Sequence, residues 1–261
     1  MPLRAPSTRR EKILLYGRFN SGKSRAWLSI ADWREKTGAG FQMWVADTDD
    51  AWEAMRPSDG RWDEFVHVTH LDVDDYRPWI DWARKTKAEC SRDDWVVVDL
   101  HKARDAAEEY FWVQQGEDLL ADVYLRNQQA VESKGKEGEL RGGAYGARWA
   151  VIRQYYNAFH SPVMNAGCHV LVLAHADEIR EYHPAEIRNT YRVGWVPQGR
   201  ADLANSFNTV LFAAQVADRW TLTTVRERGP IDESRVHLRG EQVDDFVLSY
   251  LIPVGGWKVA G

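Results

Sequence analysis

Residues 13–24 decide how the rest of this chain is interpreted, and they read Ile-Leu-Leu-Tyr-Gly-Arg-Phe-Asn-Ser-Gly-Lys-Ser. After a short apolar run of strand type, the segment matches the pattern G-x-x-x-x-G-K-S/T. The stretch 23–36 can form a helix that Gly38 closes. A strand, a glycine loop and a helix N-terminus in this order form a nest of backbone N–H groups that binds phosphate. The segment therefore predicts a site for a nucleoside triphosphate.

The residues of this loop have distinct expected roles. Lys23 is expected to reach the β- and γ-phosphates, and the Ser24 hydroxyl is expected to hold Mg²⁺. ATP and Mg²⁺ are therefore the expected cofactors. The residues predicted to contact the nucleotide are Gly17, Arg18, Phe19, Asn20, Ser21, Gly22, Lys23, Ser24 and Arg25.

The composition suits a globular protein with one large α/β domain. The chain has 261 residues, of which 44% are hydrophobic and 28% charged. A net charge of −5 argues against a surface built for tight, nonspecific binding to duplex DNA. Two cysteines without a CxxC pair, and no apolar run long enough for a bilayer, favour a cytoplasmic protein without membrane contact. Residues 1–10 are predicted to be a flexible basic leader, and residues 11–261 a single domain.

Apolar segments alternate with helical segments along this domain. Further strands are predicted at 41–46, 65–69, 95–98 and 169–174, and helices at 74–90, 103–131 and 148–160. This alternation predicts an α/β fold with a mainly parallel, doubly wound sheet flanked by helices. The segments 209–215 and 220–225 predict a late antiparallel hairpin, and polar loops are expected near 132–146 and 177–200.

An acidic residue follows the apolar run 95–98, at the strand end where ligands of parallel sheets bind. Asp99 fits a Walker B aspartate that holds an Mg²⁺-bound water, and a helix N-cap is its alternative role. The next two residues are Leu100 and His101. Since neither is a carboxylate, the group that activates the attacking water has to come from another strand end.

The other predicted catalytic residues follow three later or neighbouring strands. Asp49 is the first candidate for the water-activating carboxylate and Asp50 the second, with an acidic surface turn as the alternative. His175 could sense the γ-phosphate, or it could be an ordinary strand-end histidine. Arg226 and Arg228 alternate onto one face of the late hairpin. They could act as an arginine finger in a neighbouring subunit, or they could mark a solvated strand end.

Taken together, these segments resemble the RecA-like ATPase superfamily, and most closely the compact RecA-core proteins of bacteriophages. Residues 47–52 are similar to the family's strand end with Asp-x-Glu, and Asp49 occupies the place of the catalytic Glu. This shorter carboxylate implies that hydrolysis is slow or uses Asp50. Arginine stands at 226 where the family usually has lysine. Residues 95–99 resemble the family's Walker B strand, and residues 171–175 resemble its sensor strand. Residues 224–229 resemble its K-x-R trans-acting element.

The resemblance implies an ATPase that assembles as a ring or filament on single-stranded DNA, in phage-type recombination or annealing within a bacterial host. The DNA would contact basic and aromatic residues of the two polar loops, among them Lys134, Lys136, Arg141, Tyr145, Arg180, Tyr182, Arg188, Tyr191, Arg192, Trp195 and Arg200. Glutamates in the same loops count against strong binding. The alternatives are a DNA-packaging (terminase-like) or translocation motor subunit, a nucleotide-binding regulator without hydrolysis, and a metabolite kinase.

Overall fold

The structure is a computed structural model, and it describes residues 3–4, 10–72, 75–99, 106–107, 143–183, 186–198, 203–227 and 238–259. Several predictions from the sequence lie outside these ranges. They concern nearly all of the leader and of the helix predicted at 103–131, most of the polar loop predicted near 132–146, and Arg228.

The described chain alternates between strands and helices, as the sequence pattern indicates. The strands are β1 (Leu3–Arg4), β2 (Lys12–Gly17), β3 (Met43–Asp47), β4 (Val66–His70), β5 (Trp95–Asp99), β6 (His169–His183), β7 (Glu186–Pro197), β8 (Thr209–Val216), β9 (Arg219–Glu227), β10 (Arg239–Gln242) and β11 (Lys258–Val259). The helices are α1 (Arg25–Thr37), α2 (Ala51–Met55), α3 (Arg77–Glu89) and α4 (Gly143–Met164), with a 3₁₀ turn (Leu203–Ser206) and a π-helix (Val247–Leu251).

The central sheet has the strand order β10-β9-β8-β2-β6-β5-β3-β4. Its strands from β8 to β4 are parallel, whereas β9 and β10 are antiparallel additions at one edge. The prediction of an α/β fold with a mainly parallel sheet and a late antiparallel hairpin is therefore confirmed. Because β6 lies between β2 and β5, the chain segments that follow these three strands leave the sheet side by side at its carboxyl edge.

Helices cover both faces of this sheet, and the alternation of side chains along β2 shows how. Ile13 and Leu15 pack in one core with α1 and the π-helix, while Leu14 and Tyr16 pack in a second core with α3 and α4. Full burial of each such side chain contributes about 1.5–3 kcal/mol. The near-continuous apolar runs of the central strands follow from this arrangement, since both faces are buried.

The polar stretch 177–200, for which the sequence predicts a loop, is instead a long β-hairpin through Pro197. Strand β6 continues past His175 to His183 and pairs antiparallel with β7, with register shifts near Ile179 and Tyr182. The prediction was wrong because the charged residues here are mixed with aromatic and β-branched ones, a composition that strands outside a buried sheet tolerate. We call this element the β6–β7 hairpin.

None of the helices within the described ranges has both the length and the apolarity required to cross a membrane.

The turn between β8 and β9 contains two residues in a strained conformation. Val216 pairs with Arg219, so that Ala217 and Asp218 alone form the loop, with φ of 47° and 62°. This is the two-residue hairpin turn in which both central residues have positive φ, and it favours Asn and Gly. Alanine has no side chain that compensates for the left-handed conformation.

We expect Ala217→Asn to stabilise the protein by about 0.5–1 kcal/mol, because asparagine tolerates the left-handed region better than alanine. Urea denaturation followed by circular dichroism measures the change. The matched control is Ala54→Asn on the exposed side of α2. There the same replacement lowers helix propensity and should destabilise. Equal effects of the two substitutions would contradict the assigned turn conformation.

Candidate functional site

Two glycines of the loop 17–24 are required by close packing. A Cβ added to Gly17, the last residue of β2, would lie 2.3 Å from the Ala213 carbonyl oxygen. Gly22 has a φ of 79°, and a Cβ there would lie 3.0 Å from a ring carbon of Trp220. The first and second glycines of the motif are thus fixed by β8 and β9, respectively, so that the loop curls tightly at the carboxyl edge of the sheet.

Three backbone N–H groups of the loop lie at the start of α1. The Ser21 N–H donates to the Arg18 carbonyl at 3.2 Å, which closes the first turn of the loop. Within the described residues, the N–H groups of Gly22, Lys23 and Ser24 have no protein acceptor. They lie at the N-terminus of α1, where the helix dipole is positive. Such a group of donors binds an anion, and phosphate in particular.

Lys23 places a buried amine inside this loop. Its side chain is 6% exposed, and Nζ donates to the carbonyl oxygens of Arg18 at 2.9 Å and Gly17 at 3.3 Å. Burial lowers the pKa of Lys23, while the nearby carboxylates of Asp99 and Asp49 raise it. The amine is thus held at the centre of the loop by neutral oxygens, in a position where phosphate oxygens could replace them as acceptors.

Asp99 joins the end of β5 to the start of α1. Its carboxylate accepts a hydrogen bond from Ser24 Oγ at 3.2 Å and another from Trp27 Nε1 at 2.8 Å. The pKa of Asp99 is raised to about 6, mainly by burial and also by the charges of Asp47 and Asp49. The two hydrogen bonds oppose this shift by lowering the pKa. The two residues predicted to hold Mg²⁺ are therefore in direct contact.

The donor set fits Mg²⁺ only in part. A hydroxyl and a carboxylate are the hard oxygen ligands that Mg²⁺ prefers, and it usually completes its shell with waters and phosphate oxygens. In the described part of the chain, no cluster of three or more His, Cys, Asp or Glu side chains could bind a metal. Ser24 and Asp99 would thus hold the ion together with a bound triphosphate, and the protein alone would not.

The acidic residues after β3 lie in different environments. The Asp47 carboxylate is buried and accepts hydrogen bonds from the N–H groups of Asp49 at 3.1 Å and Trp52 at 2.9 Å, which fixes the start of α2. Asp50 has a φ of 54°, and its carboxylate lies 3.0 Å from His70 Nδ1, within hydrogen-bond distance. Asp49 is exposed, and its charge acts on both Lys23 and Asp99. Asp47 also acts on Asp99, but of the three acids it is Asp49 whose charge raises the pKa of the loop residue Lys23.

The predicted sensor and the predicted arginine finger lie at different edges of the sheet. His175 pairs in register with Gly17, so it lies beside the start of the loop. Arg226 is opposite Val210, which pairs with Leu14, three residues (about 10 Å) before Gly17. Its guanidinium donates to Asn205 Oδ1 at 2.8 Å. Arg226 therefore does not contribute to the site of its own chain, and any catalytic role would be in another subunit.

Aromatic residues form a wall next to the loop on its β8 side. Trp195 of β7 stacks on Phe212 of β8 with ring centroids 6.4 Å apart, and the Arg18 guanidinium lies 5.2 Å from the Trp195 centroid. A cavity of about 590 Å³ lies between this wall, residues 18–21 and the β8–β9 turn. The ring of Trp195, a residue predicted to contact DNA, lies beside Arg18 of the loop 17–24, and its contact with DNA stays a prediction.

Three contributors to the site were missed by sequence reasoning. Trp27 follows Ser24 by three residues, so helical spacing alone could have indicated a shared side of α1. Asp47 caps α2 through N–H groups only two and five residues further along the chain, so an acidic residue just before a short helix was a local signal for this role. The packing of Trp220 on Gly22 joins residues distant in sequence, and no local pattern predicts it.

Comparison with known proteins adds no family to these observations, since neither a protein-family model nor a curated protein sequence matches the chain.

We expect Asp99→Asn to stabilise the protein at neutral pH. An acid whose pKa is raised on folding is most favourable when protonated, so its contribution is greatest below pH 4 and is lost as pH rises towards 6. Asparagine resembles the protonated form and can accept from Trp27 while donating to Ser24. The expected gain is about 1–3 kcal/mol at pH 7.5 and close to zero at pH 4, measured by urea denaturation.

Asp94→Asn is the matched control for this experiment. Asp94 is also buried, but its carboxylate accepts from two backbone N–H groups, those of Gln42 and Ser91, each at 2.7 Å. An amide cannot accept with both ends, so this variant should lose stability. Destabilisation by both substitutions at pH 7.5 would contradict the costly burial of the Asp99 charge.

Proposed function

We propose that the chain is a RecA-like, Mg²⁺-dependent ATPase that acts on single-stranded DNA. The observation that carries the nucleotide part is the hydrogen bond between Ser24 and Asp99, which joins the end of the G-K-S motif to a strand end 75 residues away. In a phosphate loop with a Walker B aspartate, these two side chains are the ones that share the metal. A glycine turn with a structural role only would not require a buried carboxylate beside the serine.

The chain's own residues would divide the work of hydrolysis as follows. The N–H groups of residues 22–24 and the Lys23 amine bind the β- and γ-phosphates. Ser24 and Asp99 would hold Mg²⁺, which would neutralise charge on the phosphates. Asp49 orients the attacking water and accepts its proton, and His175, level with Gly17, hydrogen-bonds the γ-phosphate. ATP therefore loses its γ-phosphate to water.

The arrangement of the sheet supports the RecA-like part of the proposal. Strand β6, which contains His175, lies between the loop-bearing strand β2 and the Asp99 strand β5, and helices pack on both faces. Three chain segments that are distant in sequence thus bring Lys23, Asp99 and His175 to one edge of the parallel sheet. Ligands of parallel α/β sheets bind at this edge.

The β6–β7 hairpin supports the DNA part. Its first strand, β6, also contains His175, and the hairpin residues that follow His175 include Arg180, Tyr182 and Arg192. Cationic and aromatic residues of this kind track single strands by contacting phosphates and stacking on bases. A change of the γ-phosphate at His175 would act on the hairpin through one continuous strand.

Substitution of the two neighbouring acids tests the assigned base. We expect Asp49→Asn to reduce kcat about 100-fold or more with little change in ATP affinity, because it removes the proton acceptor and leaves the phosphate contacts. Asp50→Asn is the matched control, since Asp50 pairs with His70, and its kcat should stay within about twofold. Phosphate release and calorimetry supply the two readouts. A larger loss with Asp50→Asn would exchange the two roles.

Substitution of the loop lysine tests nucleotide binding, and added DNA tests the partner. Lys23→Ala should abolish detectable MgATP binding in calorimetry, whereas Lys36→Ala at the exposed end of α1 should bind normally.

Single-stranded DNA should change the rate of ATP hydrolysis by the protein or its size in gel filtration. Binding without turnover would favour the regulatory alternative. An unchanged rate and size with DNA would remove the DNA part and leave the ATPase.

A further inference from the structure

We propose that the cavity between the loop and the β8–β9 turn binds the purine base of the nucleotide. The inference rests on the proposed function, because it needs a triphosphate in the loop. Residues 18–21 line both the cavity and the first half of the loop. A ligand whose phosphates occupy the N–H nest of residues 22–24 would therefore extend directly into this space. The volume of about 590 Å³ lies in the range typical of small-molecule sites.

The aromatic wall of the cavity is held in place before any ligand arrives. Tyr16 packs on Phe212 with centroids 5.2 Å apart, and its hydroxyl donates to the Trp195 carbonyl at 3.3 Å. Trp195 in turn stacks on Phe212 with an angle of 18° between the rings. Because each ring belongs to a strand and the two rings pack on each other, a planar base could stack on them with little loss of side-chain freedom.

Two features of the loop residues indicate that this wall serves a planar ligand. Phe19 is 77% exposed at the cavity, although a large apolar ring in that position gains nothing from water. Arg18 covers a face of Trp195 by a cation–π contact. A base that stacks on Trp195 would displace this guanidinium, which then lies beside the phosphate site and can bond to phosphate oxygens.

The opposite side of the cavity supplies polar groups for the edge of the base. Gln215 and Asp218, both exposed, line it next to the apolar Ala214. The amide can donate and accept, and the carboxylate accepts from the amino or imino groups of a purine. Asp218 is held there with a φ of 62°. Strained backbone beside a ligand site is a recurrent feature of functional loops.

The test compares a nucleotide with a probe that has phosphates but no base. Calorimetry measures the binding of MgATP and of magnesium tripolyphosphate to the full chain. Trp195→Ala should weaken ATP binding at least tenfold and change tripolyphosphate binding less than twofold. Trp195→Phe keeps a stacking ring and should retain affinity within about threefold. Val196→Ala, on the exposed neighbour in β7, is the matched control and should leave both ligands unchanged.

A second variant keeps the proposal testable if the loss of Trp195 impairs folding. Gln215→Ala alters an exposed side chain and should lower the affinity for ATP without affecting tripolyphosphate, with Val216→Ala as its neighbour control. Equal affinity of the unsubstituted chain for ATP and CTP would overturn the purine assignment. Tighter binding of ATP than of tripolyphosphate, with no effect of either variant, would overturn this cavity alone. Absence of binding for both ligands would overturn the proposed function as well.

Discussion

The hydrogen bonds that Asp99 accepts from Ser24 and Trp27 are the interactions on which the rest of this site depends. They connect the first turn of α1 to the end of β5, which is separated from β2 by the whole width of β6. The loop is thereby held between two fixed points, Gly17 at the end of β2 and Asp99 at the end of β5, two strands away in the sheet. With both ends fixed, its N–H groups and the Lys23 amine keep one orientation. Preorganised donors of this kind bind an anion without the cost of ordering a flexible loop.

Much of this arrangement could be predicted from the sequence because its signals are local. The apolar runs before Gly17 and Asp99 indicate buried parallel strands, and the glycine spacing indicates the loop that follows the first of them. The carboxyl edge of a parallel sheet then brings strand ends together by topology alone. The contact between Ser24 and Asp99 is therefore a consequence of patterns that each span fewer than ten residues.

The remaining features depend on contacts that no local pattern encodes. The stretch 177–197 contains enough charge to resemble a loop, and only its pairing with itself makes it the β6–β7 hairpin. Asp49 and Asp50 differ in environment because Asp50 contacts His70, which belongs to a different strand. The sequence predicts that Arg226 lies in the late hairpin. Strand β9 runs antiparallel to β8, however, and this direction places Arg226 at the edge of the sheet away from the loop. A hairpin prediction from sequence gives the pairing and leaves open which end meets the ligand.

The electrostatics of the site indicate what the fold sacrifices for this geometry. Burial lowers the pKa of Lys23 and raises that of Asp99, so burial disfavours the charged form of each group. A fold optimised for stability alone would replace them with apolar residues of similar size. Buried ionisable groups whose pKa values are shifted by their surroundings are instead typical of functional sites. A bound triphosphate would add negative charge beside Lys23, and its cation would add positive charge beside Asp99, so binding and stability should rise together.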